Sequence, residues 1–192
     1  MRKDIILCGV GGQGTVLASR LISAAAMAAD LPVMSAETIG MAQRGGSVFS
    51  HLRIGEGVCS PMIARGEADL ILGFEPGEAV RMLSFLKPDG QVVVSARPVM
   101  SVTAALSGTE YNAGAMLDFL RSRVKNLVVV DTEQAMADLG STRVMNLILL
   151  GAALRSGALG FTDRQIREAV IARIPPKFHE LNLRALDWSG GK

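Results

Sequence analysis

The stretch "IILCGVGGQG", Ile5 to Gly14, joins an apolar run to a cluster of glycines. Gly9, Gly11 and Gly14 fit the pattern G-x-G-x-x-G that is typical of dinucleotide-binding proteins. Apolar residues with helical spacing follow over residues 13–29, so the sequence predicts a strand, a glycine turn and a helix in that order. Because glycines carry no Cβ, such a turn either approaches a phosphate closely or only lets the helix pack tightly on the sheet.

The rest of the chain alternates strand and helix patterns with short connections. Strands are predicted at 31–34, which leads to Glu37, and at 47–54, 68–74, 91–95 and 127–130; helices are predicted at 76–86, 112–123 and from 142 onward, with breaks at 157–160 and 175–176. This order predicts an α/β fold, a Rossmann-like doubly wound and mainly parallel sheet with a C-terminal helical layer. Its length favours a single domain over residues 1–192. The strictly alternating segment 47–54 is typical of an edge strand or a hairpin arm.

The composition excludes several classes of function. The net charge is only +2 and the basic residues are scattered, so we expect no nucleic-acid partner. No apolar run approaches the roughly 18 residues of a membrane span and no export signal is visible, so we expect a cytoplasmic protein without a membrane partner. Cys8 and Cys59 are the only cysteines and form no ligand pair, which predicts that this chain holds no iron–sulfur cluster or zinc of its own. Both are interpreted as small apolar fillers.

A nicotinamide-dependent enzyme is one interpretation of the glycine turn. Glu37, at the end of the second predicted strand, would then bind the ribose hydroxyls. Such an enzyme also needs a substrate region with a general acid or base, and the two histidines, His51 and His179, both lie in patterns typical of structural residues. An autonomous NAD(P)-binding oxidoreductase or redox sensor stays an alternative, as does a purely structural interface subunit.

A second polar segment, Glu37 to Ser47, follows the second predicted strand. It contains an acid, an amide, a guanidinium, a hydroxyl and three glycines within eleven residues. We expect it to lie at the same edge of the sheet as the first glycine turn. A polar surface turn before a strand is the simpler alternative.

Three motifs together resemble a known family. "GVGGQG" at the first turn, "GMAQRGGSV" shortly after Glu37, and "IPPKFHELNLRAL" near the end are similar to the gamma subunit or gamma domain of the 2-oxoacid:ferredoxin oxidoreductases. Within that family, the small subunits that serve indolepyruvate are the most similar. The resemblance covers residues 1 to about 187 of the chain.

The resemblance implies a role as one subunit of a larger enzyme. Such enzymes decarboxylate a 2-oxoacid on thiamine diphosphate, pass electrons through iron–sulfur clusters to ferredoxin, and release an acyl-CoA. The thiamine diphosphate and the clusters belong to a large alpha subunit, and the gamma component lies where coenzyme A approaches. The chain alone is therefore expected to bind no cofactor, to carry no catalytic residue and to be inactive.

The resemblance also implies a set of binding residues. Those that match the family's two loops are Gly9, Gly11, Gly12, Gln13, Gly14, Glu37, Gly40, Gln43, Arg44, Gly45, Gly46 and Ser47. Within this set we assign the amides of 11–14 to an anion cradle, Arg44 to a phosphate, and Gln43 and Ser47 to hydrogen-bonding roles. Asn146 and Asn182 match less diagnostic positions, where a helix or cap role is the alternative.

Overall fold

The computed structural model describes residues 1–37, 45–100 and 111–190. Its strands are β1 (Lys3–Val10), β2 (Val33–Glu37), β3 (Ser47–Ile54), β4 (Ala68–Gly73), β5 (Leu86–Ser95) and β6 (Asn126–Val130). Its α-helices are α1 (Thr15–Ala28), α2 (Pro76–Met82), α3 (Ala113–Arg123), α4 (Thr132–Leu139), α5 (Met145–Arg155), α6 (Asp163–Arg173) and α7 (His179–Asp187). Short 3₁₀ turns are present at Leu83–Phe85, Thr142–Val144 and Pro176–Phe178.

The six strands form one sheet in the order β2-β3-β1-β4-β5-β6. The pairs β1–β4, β4–β5 and β5–β6 are parallel, whereas β3 is antiparallel to both of its neighbours, β1 and β2. Five strands therefore point the same way, which confirms the predicted mainly parallel α/β sheet.

The prediction for residues 47–54 is confirmed as a hairpin arm, since β3 pairs antiparallel with the preceding strand β2, and it is wrong as an edge strand. β3 lies inside the sheet, and the face that carries His51 and Arg53 is buried although it is polar. The Arg53 guanidinium donates to the Asp4 carboxylate through Nε at 2.8 Å, and the Ile63 amide donates to Nδ1 of His51 at 3.1 Å. Asp4 and Ile63 lie 49 and 12 residues from these side chains in sequence. Without knowledge of these partners, the alternation of polar and apolar residues in 47–54 resembles that of a half-exposed strand.

Helices cover both faces of the sheet. One layer contains α1 and the C-terminal helices α4–α7, whose apolar residues form a core with Leu7, Leu52 and Leu72. The other layer contains α2 and α3, which pack with Ile6 and Ile71 on the opposite face. The doubly wound arrangement and the C-terminal helical layer are thereby confirmed.

Two local elements differ from the sequence expectations. Helix α4 was not predicted as a separate element; the Asp131 side chain caps it by accepting from the Gln134 amide. Strand β5 begins at Leu86, earlier than the predicted strand 91–95, and its register against β4 shifts between the pairs Ala68–Leu86 and Leu70–Gln91. Among the described residues no helix combines the length and apolarity that a membrane crossing needs.

Candidate functional site

The first glycine turn connects β1 to α1 at the carboxyl edge of the sheet. Gly12 has φ 103° and Gly14 has φ 88°, positive backbone angles that residues other than glycine rarely adopt. Gly14 is also the N-cap residue of α1, and within the described ranges no side chain makes a cap hydrogen bond there. A Cβ at Gly12 would meet no atom of the described residues within 4 Å. This geometry suits an anion cradle of backbone amides.

Gln13 holds the turn against the next parallel strand. Its Oε1 accepts from the Val10 amide at 2.6 Å, and its Nε2 donates to the Phe74 carbonyl at 3.1 Å. A Cβ added at Gly9 would lie 2.7 Å from both Phe74 Cβ and Gln13 Oε1, so the ends of β1 and β4 approach closely here. Both ends of the Gln13 amide are engaged within the chain, which fixes the orientation of this side chain against the turn.

The end of the second loop lies against the first turn, as predicted. The Gly11 amide donates to the Gly46 carbonyl at 2.8 Å, and the Gly45 amide donates to the Gly11 carbonyl at 3.2 Å. These bonds extend the β1–β3 ladder beyond its last pair, Val10 and Ser47. Gly45 has φ 74°, which again favours glycine. The other predicted residues of this loop, Gly40, Gln43 and Arg44, lie outside the described residues.

A cavity of about 470 Å³ opens beside the first turn. It is lined by Gly11, Gly12, Gly14, Thr15, Val16, Arg20, Glu37, Val48, Phe49 and Ser50. The amino end of α1 and Arg20 bring positive charge to it, and Glu37 brings negative charge. One cavity thus joins the first turn to Glu37, two parts of the predicted site that are about 23 residues apart in sequence.

A buried polar cluster joins Ser47 to the start of α2, and the sequence patterns did not predict it. Ser47 Oγ donates to Glu78 Oε2 at 2.5 Å. Glu75, the N-cap residue of α2, accepts from the Glu78 amide at 3.0 Å and from the Tyr111 hydroxyl. Glu75 and Glu78 are 2% and 3% exposed. The signal in the sequence was the acid before the proline that starts α2, E-P-x-E, which is typical of an N-cap.

Burial raises the pKa of three groups in or beside this cluster, Glu75, Tyr111 and Cys8. It raises the pKa of Glu75, and the hydrogen bonds from Tyr111 and from the Glu78 amide act in the opposite direction. Burial, followed by the bond to Glu75, also raises the pKa of the Tyr111 hydroxyl. The thiol of Cys8 has a pKa well above its ordinary value because it is buried and because the carboxylates of Glu78 and Glu75 lie nearby.

The remaining candidate residues lie outside this site. His51 is buried between the rings of Phe49 and Phe85, and His179 contacts the Ile174 carbonyl at 2.7 Å in the C-terminal layer. Asn182 donates to the Phe178 carbonyl at 2.7 Å, which is a local helix contact.

Two residues need a different description from the one the sequence suggested. Asn146, near the start of α5, lies against the first turn: a Cβ at Gly14 would be 3.1 Å from its Nδ2. Cys8 is buried, as expected of an apolar filler, but Cys59 is exposed, so the filler interpretation is wrong for Cys59. No group of three or more potential metal ligands is present in the three described ranges.

The sheet order also bears on the dinucleotide interpretation. In a Rossmann unit the second strand pairs directly with the first, and its terminal acid binds the ribose. Here β3 separates β2 from β1, which places the end of β2 two strand spacings, about 10 Å, from the end of β1. Glu37 therefore does not occupy the position of the ribose-binding acid of that unit.

Comparisons with known proteins agree on one family. The profile described as "Pyruvate ferredoxin/flavodoxin oxidoreductase" matches residues 4–188. The chain is 34% identical to the indolepyruvate oxidoreductase subunit IorB of Thermococcus kodakarensis, over 96% of this chain and 92% of that protein. It is 35% identical to the subunit of the same name from Archaeoglobus fulgidus, over 97% of this chain and 92% of that protein.

A solved structure has the same fold. It is the gamma subunit of a keto/oxoacid ferredoxin oxidoreductase from Geobacter sulfurreducens, with a TM-score of 0.68 at 22% identity, covering 96% of this chain and 94% of that one. With the two glycine loops joined at one edge of a mixed six-stranded sheet, and with a family profile that spans nearly the whole sequence, the chain belongs to the pyruvate ferredoxin/flavodoxin oxidoreductase family.

Proposed function

We propose that this chain is the small subunit of a 2-oxoacid:ferredoxin oxidoreductase, with indolepyruvate as the 2-oxoacid. The relatives that support this substrate are named indolepyruvate oxidoreductase subunits and are 34% and 35% identical to the chain. The large partner subunit would hold thiamine diphosphate and the iron–sulfur clusters and would pass electrons to ferredoxin. Two cysteines are too few for a cluster that needs four thiolate ligands, which supports this division of labour.

Within that complex, the chain would complete the active site at the point where coenzyme A enters. The observation that carries this proposal is the contact between the two glycine loops beside the cavity of about 470 Å³. The amino end of α1 and Arg20 can attract the phosphates of coenzyme A, and Gly12 lets them approach because a side chain is absent. Arg44 would add a bidentate phosphate contact, and Gln43 and Ser47 would orient neighbouring groups.

The experiment is Arg44→Ala in the complex of this chain with its large partner. A phosphate role predicts normal assembly, normal decarboxylation of the 2-oxoacid and a KM for coenzyme A that rises about tenfold or more, since a hydrogen bond between charged groups contributes roughly 1.5–3 kcal/mol. Arg164→Ala is the matched control, because Arg164 is 84% exposed in the C-terminal layer and should leave the KM unchanged.

Two other results would point to the alternative functions. Loss of assembly, with an unchanged dependence on coenzyme A in the residual complex, would make Arg44 an interface residue and favour a purely structural subunit. Binding of NAD(H) or NADP(H) by the chain alone with micromolar affinity would favour an autonomous dinucleotide-dependent enzyme, whereas we expect millimolar binding or weaker.

A further inference from the structure

Glu78 occupies an unusual position for a carboxylate. It lies in the first turn of α2, is 3% exposed, and accepts a 2.5 Å hydrogen bond from Ser47. Ser47 is the first residue of β3 and directly follows Gly45 and Gly46, which pair with the first glycine turn. The side chain of Glu78 therefore connects helix α2 to the first residue of β3.

Among the described residues, the other contacts of Glu78 do not explain why the carboxylate is buried. Arg81, one turn along α2, is 3.7 Å from Glu78 Oε2, but its side chain is 64% exposed and screened by solvent. The amide of Glu78 is used by the N-cap carboxylate of Glu75. A buried carboxylate is unfavourable without a partner, and Ser47 supplies the short, part-buried hydrogen bond that Glu78 needs.

The Gly45–Gly46 backbone needs such an anchor because glycine restrains a backbone poorly. Gly45 and Gly46 are held by two backbone hydrogen bonds to Gly11, at 2.8 and 3.2 Å, and glycine permits many other backbone conformations. Helix α2 is a firm support, since it packs against β1, β4 and β5. A side-chain bond from this helix to Ser47 adds a third point of attachment outside the ladder.

We propose that Glu78 is a positioning residue that holds the Gly45–Gly46 backbone in place against the first glycine turn through Ser47, and thereby shapes the coenzyme A site. This inference rests on the proposed function. Glu78 acts through Ser47 and touches no substrate itself. Disrupting the pair should weaken binding of coenzyme A and leave the earlier decarboxylation step intact.

The test uses Ser47→Ala, Glu78→Ala and the double variant, each in the complex with the large partner. We expect each single variant to raise the KM for coenzyme A about tenfold with kcat changed less than about twofold, as fits the loss of a hydrogen bond to a charged group. The double variant should be no worse than the more affected single variant, because both remove the same interaction. Glu78→Gln should restore much of the affinity, since its amide oxygen still accepts from Ser47.

Two controls separate positioning from loss of stability. Arg81→Gln removes the exposed ion-pair partner and should leave the KM unchanged. Asp4→Asn disrupts another buried carboxylate, which is 2% exposed and lies at the opposite end of β1, so it should lower the melting temperature without altering the KM.

Three results would overturn the inference. If Ser47→Ala and Glu78→Ala leave the KM within twofold of wild type while Arg44→Ala raises it, Glu78 is not a positioning residue and the proposed function stands. If Asp4→Asn raises the KM as much as they do, their effect is only loss of stability. If none of these variants, Arg44→Ala included, changes the dependence on coenzyme A, the proposed function fails as well. Should Glu78→Ala not fold, Ser47→Ala decides, because it removes a single hydroxyl.

Discussion

Replacing Gln13 by alanine tests whether this side chain builds the first glycine turn. The oxygen of the Gln13 side chain accepts from the backbone amide of Val10 at 2.6 Å, and the nitrogen of the same side chain donates to the Phe74 carbonyl at 3.1 Å. Val10 is 2% exposed, so water cannot easily replace the lost acceptor. With about 1 kcal/mol for each bond, the variant should lose about 2 kcal/mol of unfolding free energy. For a chain of this length that lowers the melting temperature by about 4–8 °C.

The assay is thermal unfolding followed by circular dichroism, with urea unfolding as a second measurement. Gln134→Ala is the matched control: its amide bonds Asp138 on the exposed surface of α4, so its effect should stay within about 0.5 kcal/mol. Gln13→Glu should destabilise the chain as well, since it would place a carboxylate oxygen against the Phe74 carbonyl. Stability of Gln13→Ala within about 0.5 kcal/mol of wild type would refute the assigned role.

Three further predictions concern the sheet and the C-terminal layer. Asp4→Asn leaves the buried guanidinium of Arg53 without its ion pair, so urea unfolding should show a loss of about 3–5 kcal/mol in unfolding free energy. The control is Asp118→Asn in an exposed ion pair, which should lower the melting temperature by no more than about 2 °C. Burial, followed by the nearby Arg53 charge, lowers the pKa of His51 below 6.5. Because the unfolded chain then binds a proton more readily than the folded one, stability should fall as pH drops below 6.5. In melting curves between about pH 5 and pH 8, His51→Asn should weaken this dependence. Gly151→Ala should lower the melting temperature despite its better helix propensity, because the added Cβ would overlap a backbone oxygen of α7; a higher melting temperature would refute the close helix contact.

Local sequence patterns predicted most elements of the fold. The bounds of β3 agree with the alternating segment 47–54, and its two faces do point into the two cores. Its place in the sheet was not predictable, because the partners that make its polar face suitable for burial, Asp4 and Ile63, lie 49 and 12 residues away. Periodicity reports which residues share a face, and it does not report which strand lies alongside.

The candidate site shows the same division between local and long-range information. The meeting of the two loops was predictable without the strand order, because each loop follows a strand whose carboxyl end lies at the same edge of the sheet. The roles of Glu75, Glu78 and Tyr111 depend on contacts across 31 to 36 residues. The side-chain amide of Gln13, a residue that matches the family's first loop, bonds within the chain at both ends. Its bond to the Phe74 carbonyl could not be predicted without the position of Phe74 in the fold.

We propose that this chain works only as part of a larger 2-oxoacid:ferredoxin oxidoreductase. The direct measurement is reduction of a viologen dye by indolepyruvate and coenzyme A, with the chain alone, the large partner alone and the reconstituted complex. We expect turnover dependent on coenzyme A for the complex and none for this chain alone. Robust turnover by the isolated chain, or full turnover with normal coenzyme A dependence by the large partner without it, would rule out this role.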